Sequence, residues 1–566
     1  MFRKIFLFFT LVFFAFLASA KADSDSLRFF ISPDGNYTAA AIELNYVSGK
    51  YYLFIPGETE TSEYQIGFLG SHEGIMLNGK PVPAGTSASV LLDENELTSG
   101  QNTLLFSVVR GSQGLPVLHL TTQTGSLEKI HNSKKYKEPG FLVMYDGNGK
   151  KIYDGNLSYL KMRGNASVRF PKKNYQIKLE TGKNLLGMGK ARKWILTGNW
   201  LDKSFIRNEL SFDLAEYMGL PYTPDHRQVE VYINHKYTGL YLFSEKVEIH
   251  QNRINIHDLE KNTEELNKLE LSGYEKVYRR LKNGARIKAF DIPVNPQDFT
   301  GGYLIEYETL DNRYNGEPSG FITKREFGFV VKSPEYASAV QVAYIASLMQ
   351  SFENAIFSED GTDPDTGKHY DEIVEKDSLI KKYLLNEFSK NYDGNSSSEF
   401  FFKPADSASS LIYAGPVWDL DNSFGDYARE YNEKKLSTPD GFFISRASTR
   451  KNWWPNLYSK PDFYRALVEY FNKDFRAAIE ILLGDRESSS SLKSIREYAE
   501  AIRKSAEMNY LLYPHLKDER GTIQTGLSFQ ENIDYLHSYI TRRMAFLEQE
   551  WIEKDETNKD LQFLVQ

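Results

Sequence analysis

The chain has 566 residues, 41% hydrophobic and 14% aromatic, with a formal net charge of −8 and no cysteine. The lack of thiols excludes disulfides and cysteine-bound zinc, and the acidic balance argues against nucleic acid as a partner. A chain this long exceeds one core, so two or three domains are expected.

The first twenty residues read as a secretory signal peptide. Arg3 and Lys4 give a charged start, Ile5 to Ala18 is apolar except for Thr10, and Ala18-Ser19-Ala20 is a small-x-small cleavage site. The apolar run is too short to span a bilayer. The expectation is an exported chain, secreted, periplasmic or at the cell surface, with no transmembrane anchor. Removing the leader takes the net charge from −8 to −10, and export without cysteine suits a bacterial envelope.

Residues 27–125 read as short strands, "LRFFI", "AAIEL", "YYLFI", "SVLL", "TLLFSVV" and "PVLHLTT", broken by turn signals such as "SPDGN" and "LTSGQN". That spacing predicts an all-β sandwich of the immunoglobulin or cadherin type over residues 21–130, a spacer or adhesion module with no clustered catalytic side chains. The polar "IHNSKKYKEPG" (130–140) marks the boundary.

Strands and helices then alternate. "KNYQIKLE" (173–180) sets Tyr175, Ile177 and Leu179 against Gln176, Lys178 and Glu180, a half-buried strand. "LDKSFIRNELSFDLAEYMGLP" (201–221) predicts a helix capped by Asp202 or Ser204, striped by Ile206, Leu210, Leu214 and Met218, and ended by Gly219 and Pro221. "QVEVYINHKYTGLYLF" (228–243) predicts a hairpin turning at Asn234-His235. Residues 251–300 are highly charged, an insertion with helical pieces. "GGYLIEYE" and "FGFVVK" (327–332) return to strand, and the chain is mainly helical beyond residue 335 except at 399–420.

The chemistry gathers late. "SLIKKYLLNEFSK" (378–390) is a helix with one buried face. It runs into "NYDGNSSS", which carries Asp393; "EFFFK" (399–403) and "LIYAGPVWD" (411–419) then form a β-hairpin. A hairpin returns its exit near its entry, so Asp393 and Asp419 are expected in one cleft. On an extended exit Asp419 and Asp421 project to the same side. Hard oxygen ligands so placed suit Mg²⁺ held against phosphates, with Asp393 orienting or deprotonating an acceptor hydroxyl. Protein kinases use this order of a loop Asp, a hairpin and a metal-binding Asp.

Five blocks carry a family resemblance: "RGNASVRFPKKNYQIKL" (163–179), "IRNEL" (206–210), "VYINHKYTGLYLFSEKV" (231–247), "NEFSKNYDG" (386–394) and "GPVWDLDNSFG" (415–425). In this order, across roughly residues 140–430, the chain resembles the spore-coat protein H (CotH) family, secreted atypical kinases with a protein-kinase-like fold. The resemblance implies ATP and Mg²⁺ as cofactors and a Ser or Thr hydroxyl of an envelope or surface protein as acceptor. It makes Asp393 the catalytic aspartate and Asp419 the metal ligand, assisted by Asp421. Lys178 would grip the nucleotide phosphates, Glu209 (with Glu216 competing) would pair with it, and Arg163, Asn165 and Ser167 would lie over the phosphates. Three departures stand out: no glycine-rich G-x-G-x-x-G loop, no G-x-x-x-x-G-K-[ST] loop, and Ser398 where kinases place a second metal ligand, with Asn395 as the substitute.

Each residue has a plainer reading beside this one. Asp393 precedes Gly394 and fits a turn; Asp419 fits a helix cap or strand end; Asp421 fits a turn-stabilising carboxylate. Lys178 fits a solvated strand lysine and Glu209 a helix-surface acid. "SEDGTDPDTG" (358–367) fails the calcium-loop spacing and reads as a solvated acidic loop. The fold expected is α+β: an N-terminal sandwich, then an atypical kinase-like domain over 131–566 with a helical region from about residue 431. A non-catalytic surface-binding protein, the same fold transferring AMP or another group, and a glycosidase are the alternatives.

Overall fold

The computed structural model describes residues 28–31, 41–57, 64–67, 74–82, 88, 90–165, 167–310, 312–395, 397–426, 430–431, 434–446, 453–514 and 527–554. The proposed signal peptide therefore lies outside the described residues. The chain is α+β, β-rich towards the N-terminus and helical towards the C-terminus. It divides into two compact units. The first takes Met1–Trp200, His226–Glu245 and Ala499–Asp518; the second takes Leu201–Asp225, Lys246–Tyr498 and Glu519–Gln566.

The first unit is built on a closed barrel of seven strands: β1 (Val117–Thr122), β2 (Glu138–Tyr145), β3 (Lys151–Arg163), β4 (Asn174–Asn184), β5 (Lys190–Thr197), β6 (His226–Ile233) and β7 (Lys236–Glu245). They pair in the order β5-β4-β3-β2-β1-β6-β7, and an antiparallel β5–β7 ladder closes the ring, leaving no open edge. Its interior is filled by Leu120, Leu142, Leu160, Ile177, Trp194, Val229 and Phe243 among others. Alternation dictates this filling, because every second side chain of a strand points inward. In β4, Tyr175, Ile177 and Leu179 are buried as their spacing predicts. Gln176 departs from the pattern: it is buried too, its amide donating to the Tyr159 hydroxyl at 2.7 Å. The β6–β7 turn sits at Asn234 (φ 49°) and His235 (φ 72°), the pair of left-handed residues that a two-residue hairpin needs.

The strands Arg28–Ile31, Ala41–Glu43 and Tyr64–Gly67 extend the barrel sheet beyond β7. Asn45–Val47, Lys50–Ile55, Ile75–Leu77, Lys80–Pro81, Glu94–Ser99 and Asn102–Arg110 make a separate six-stranded sheet. Residues 90–92, inside the predicted strand "SVLL", are not extended into a ladder.

The second unit holds a seven-stranded sheet: β8 (Lys276–Arg280), β9 (Arg286–Phe290), β10 (Tyr303–Tyr307), β11 (Gly320–Ile322), β12 (Gly328–Ser333), β13 (Glu399–Lys403) and β14 (Tyr413–Ala414), in the order β8-β9-β11-β12-β10-β13-β14. The predicted hairpin at 399–414 is β13 and β14. Among the helices of this unit are α1 (Arg207–Tyr217), α2 (Ala339–Phe357), α3 (Lys376–Ser389) and α4 (Phe529–Glu548). Helix α1 begins later than its sequence predicts. The Asp202 carboxylate folds back, taking the Ser204 and Arg207 amides at 2.9 and 2.8 Å, so residues 202–206 form a side-chain-bonded turn ahead of the helix. The predicted stripe Ile206, Leu210, Leu214 and Met218 is buried, and Gly219 (φ 71°) ends the helix. No helix among the described residues is long and apolar enough to cross a membrane.

Candidate active site

Two loops of the second unit carry the acids. The first leaves α3 through Lys390, whose left-handed backbone (φ 47°) stops the helix while its ammonium binds the Thr438 and Asp440 carbonyls. It then makes a single 3₁₀ turn over Asp393–Asn395. Asn391 accepts the Asp393 amide at 3.2 Å and donates to Asn386, and Asn386 donates to Glu399 at the start of β13. The Trp454 indole N–H donates to the Gly394 carbonyl at 3.0 Å. The loop is thus tied to helix and strand on both sides, the condition for a side chain held in one geometry.

The second loop follows β14 and carries Asp419, Asp421 and Asp426. One backbone hydrogen bond pins it to the first, Tyr392 N to Asn422 O at 3.3 Å, and a second pins it to the end of α3, Phe424 N to Ser389 O at 2.7 Å. The sequence predicts an extended exit with Asp419 and Asp421 on one side. The structure instead turns, with Asp419 in the left-handed region (φ 64°) and residues 421–422 in a turn. Strand alternation therefore does not align the two acids; the turn does. Ser398 reaches back across the hairpin to donate to the Asp419 carboxylate at 3.4 Å.

Helix α1 supplies the floor. Arg207, fully buried, donates through Nε to the Ser423 carbonyl at 3.0 Å and through Nη1 to Asp202 at 2.6 Å, with Asp426 at 3.6 Å. Asn208 accepts the Leu420 amide at 2.8 Å, gripping the residue between Asp419 and Asp421. Burial, then the charges of Asp419, Asp393, Asp202 and Asp426, push the Asp421 carboxyl well above the usual range. Burial also lifts Asp426 to about 8 against the pull of Arg207 and Lys203. Glu306 of β10, ion-paired to Lys332 at 3.5 Å, is raised mainly by burial and in smaller part by Asp419. So much converging negative charge with hard oxygen donors fits a divalent cation such as Mg²⁺. Asp419 and Asp421, both half-buried, are the residues that could hold it.

The structure brings together Asp393, Asp419 and Asp421. Asn395 is on the same loop, its side chain lying outside the described residues. Glu209 points along another face of α1, where its charge acts with Asp213 on Tyr498. Glu216 takes a hydrogen bond from Ser491. Arg163, Asn165, Ser167 and Lys178 belong to the first unit. There Lys178 lies 5.9 Å from the Tyr159 ring, Asn165 accepts from Lys134 at 2.9 Å, and the Ser167 hydroxyl folds onto the Arg163 carbonyl. The acidic loop at 358–367 is not merely solvated. Asp363 is buried and takes bonds from Ser351, Asn354 and Thr366, which leaves its carboxylate satisfied by the protein itself. A cluster of His369, Asp371 and Asp462 has metal-ligand spacing, but the Lys376 ammonium, 2.5 Å from Asp462, already balances it.

Sequence reasoning missed Arg207, Asn208 and Asp426, and read Asp202 only as a helix cap. The signal was present: "IRN" immediately precedes Glu209 on α1, and Asp426 follows the Gly425 that closes the last block. No curated protein matches the chain. The model of a family described as CotH kinase protein matches residues 160–547, which include both acid loops and the α1 residues that clamp one of them. The chain belongs to the CotH kinase family.

Proposed function

We propose that this protein is an exported, ATP- and Mg²⁺-dependent kinase that moves the γ-phosphate to a Ser or Thr hydroxyl of an envelope or surface protein. What supports the reading most is the pinning of the Asp419–Asp421 loop to the Asp393 loop and the end of α3 by two backbone hydrogen bonds, which gathers three carboxylates from two chain segments. Kinase-family membership supports the class of chemistry. The domain assignment that goes with it is a signal peptide over 1–20, a β-sandwich over 21–130 and an atypical kinase-like domain from 131.

In this reading Asp393 accepts the proton of the acceptor hydroxyl as its oxygen bonds to the γ-phosphorus. The bond from that phosphorus to the bridging oxygen breaks, and ADP leaves with the electron pair. Magnesium, when bound, neutralises the charge that develops on the phosphate oxygens. Asp419 and Asp421 would hold it, Ser398 orients Asp419, and Asn208 and Arg207 fix the loop. Positioning supplies most of the acceleration, because the protein has little covalent work to do in a loose transition state.

The test incubates residues 21–566 with ATP labelled at the γ-phosphate and Mg²⁺, beside Asp393→Ala and Asp419→Ala. Label transferred by the parent and lost in both variants is expected. Transfer that persists in either variant overturns the assignment, and mass spectrometry of the product separates phosphate from AMP transfer.

A further inference from the structure

The strand that begins beside Asp419 also leads away from it. Ser398, at the Asp419 carboxylate, immediately precedes β13, and Phe402 lies four residues along the same chain, about 13 Å at the rise of an extended strand. At that point the second unit opens a cavity of about 690 Å³, within the range of ligand pockets.

Its lining includes the rings of Tyr222, Phe402 and Tyr413 beside polar Asn255, Ser407 and Ser409. Phe402 stacks on Tyr413 at 5.2 Å with an 8° tilt, and Tyr222 meets Phe402 edge-on at 5.2 Å. Tyr222 is held in the left-handed region (φ 58°) and keeps 37% of its surface exposed, its hydroxyl tied to the Asn255 carbonyl at 3.1 Å. Bulky aromatics rarely adopt that backbone, and such strain concentrates at functional positions. The one carboxylate of the lining, Asp298, is exposed, and its Oδ1 takes both Thr300 donors. Lys403 ion-pairs with Asp406 at 2.6 Å. Among the described residues no hydrogen bond uses the second carboxylate oxygen of Asp298, which can take an N–H or O–H donor. Three contacting aromatic rings and a carboxylate acceptor in one lining complement an aromatic side chain that carries one donor.

We propose that this cavity receives a tyrosine or tryptophan side chain of the acceptor protein, about four residues from the hydroxyl that takes phosphate. The inference rests on the kinase reading for its distance but not for its occupant. Ser397 donates its amide to the Asp393 carbonyl at 2.9 Å, so the start of β13 lies beside the proposed acceptor position. An extended peptide covers the interval from Ser398 to Phe402 in the four residues that β13 uses.

The experiment uses the full mature chain, a Tyr222→Ala variant, and a Ser407→Trp variant that fills the cavity from an exposed lining residue. Peptides carry one Ser acceptor and Trp or Ala at each flanking position in turn. Phosphate transfer and, without nucleotide, binding by fluorescence anisotropy are both read. The expected result is an approximately tenfold preference for Trp at a position four residues from the acceptor on one side. That preference should collapse in both variants while labelling of the Ala peptides stays at the parent level. Equal use of Trp and Ala peptides by the parent, or an undiminished preference in Ser407→Trp, overturns the proposal. So does binding of free indole with no effect of peptide position. If the parent labels no peptide yet binds Trp peptides in a way Ser407→Trp abolishes, the cavity assignment holds and the kinase reading falls.

Discussion

The carboxamide oxygen of Asn208 accepts the backbone N–H of Leu420 at 2.8 Å, so a side chain of helix α1 holds the residue that separates Asp419 from Asp421. Replacing Asn208 by Ala leaves a buried amide unsatisfied, a cost of about 1–3 kcal/mol. Phosphate transfer should fall more than tenfold while the far-ultraviolet circular dichroism stays that of the parent. An activity loss no larger than the loss of folded fraction would reduce Asn208 to a stability residue.

Arg207 faces two carboxylates and two backbone carbonyls with no exposure at all. Arg207→Ala strips Asp202 and Asp426 of that counter-charge, and breaking such a buried pair costs about 3–5 kcal/mol. Arg207→Lys keeps the charge but loses the planar fork. Urea denaturation should rank parent above Lys above Ala.

Magnesium should stabilise the protein as any ligand of the folded state does, by about 2.7 kcal/mol at a concentration one hundred times its Kd. Thermal melts with and without EDTA should show the shift in the parent and lose it in Asp419→Asn. Asp421→Asn should raise the melting temperature of the metal-free protein, because it removes a carboxylate that burial and the neighbouring acids disfavour in its charged form.

In the first unit, Glu230 on β6 is fully buried, takes one bond from the Ser505 hydroxyl at 2.6 Å, and is lifted by burial to about 8. The folded state keeps this proton at pH values where the unfolded chain, near the ordinary value of 4.5, has lost it. Stability therefore declines as pH rises from about 4.5 to about 8 and is flat for this group above that. Glu230→Gln should remove that slope and gain on the parent across the window, on the order of a few kcal/mol at its alkaline end. Parallel pH profiles for the two proteins would show that Glu230 titrates normally.

Local pattern exposed what depends on neighbours in sequence. The hairpin at 399–414, the left-handed Asn234-His235 turn and the stripe of α1 all follow from short-range spacing and survive in the structure. Closure of the barrel does not: the β5–β7 ladder joins residues some fifty positions apart, and no periodicity encodes which strand meets which. The same limit hid the clamp. Arg207 and Ser423 are separated by 216 positions, and a buried arginine looks, on paper, like any helix-surface cation. Asp419 shows the reverse error. Alternation was the wrong reason for a correct grouping, since the backbone turns where a strand was expected.

That turn places an uncommon torsion and a crowded charge on the same residue, Asp419. Left-handed torsion suits glycine better than any residue with a Cβ, so a mutation to glycine there would relax the main chain and shed a crowded negative charge in a single step. Strain and charge there answer to one substitution, so Asp419→Gly should melt above the parent in EDTA.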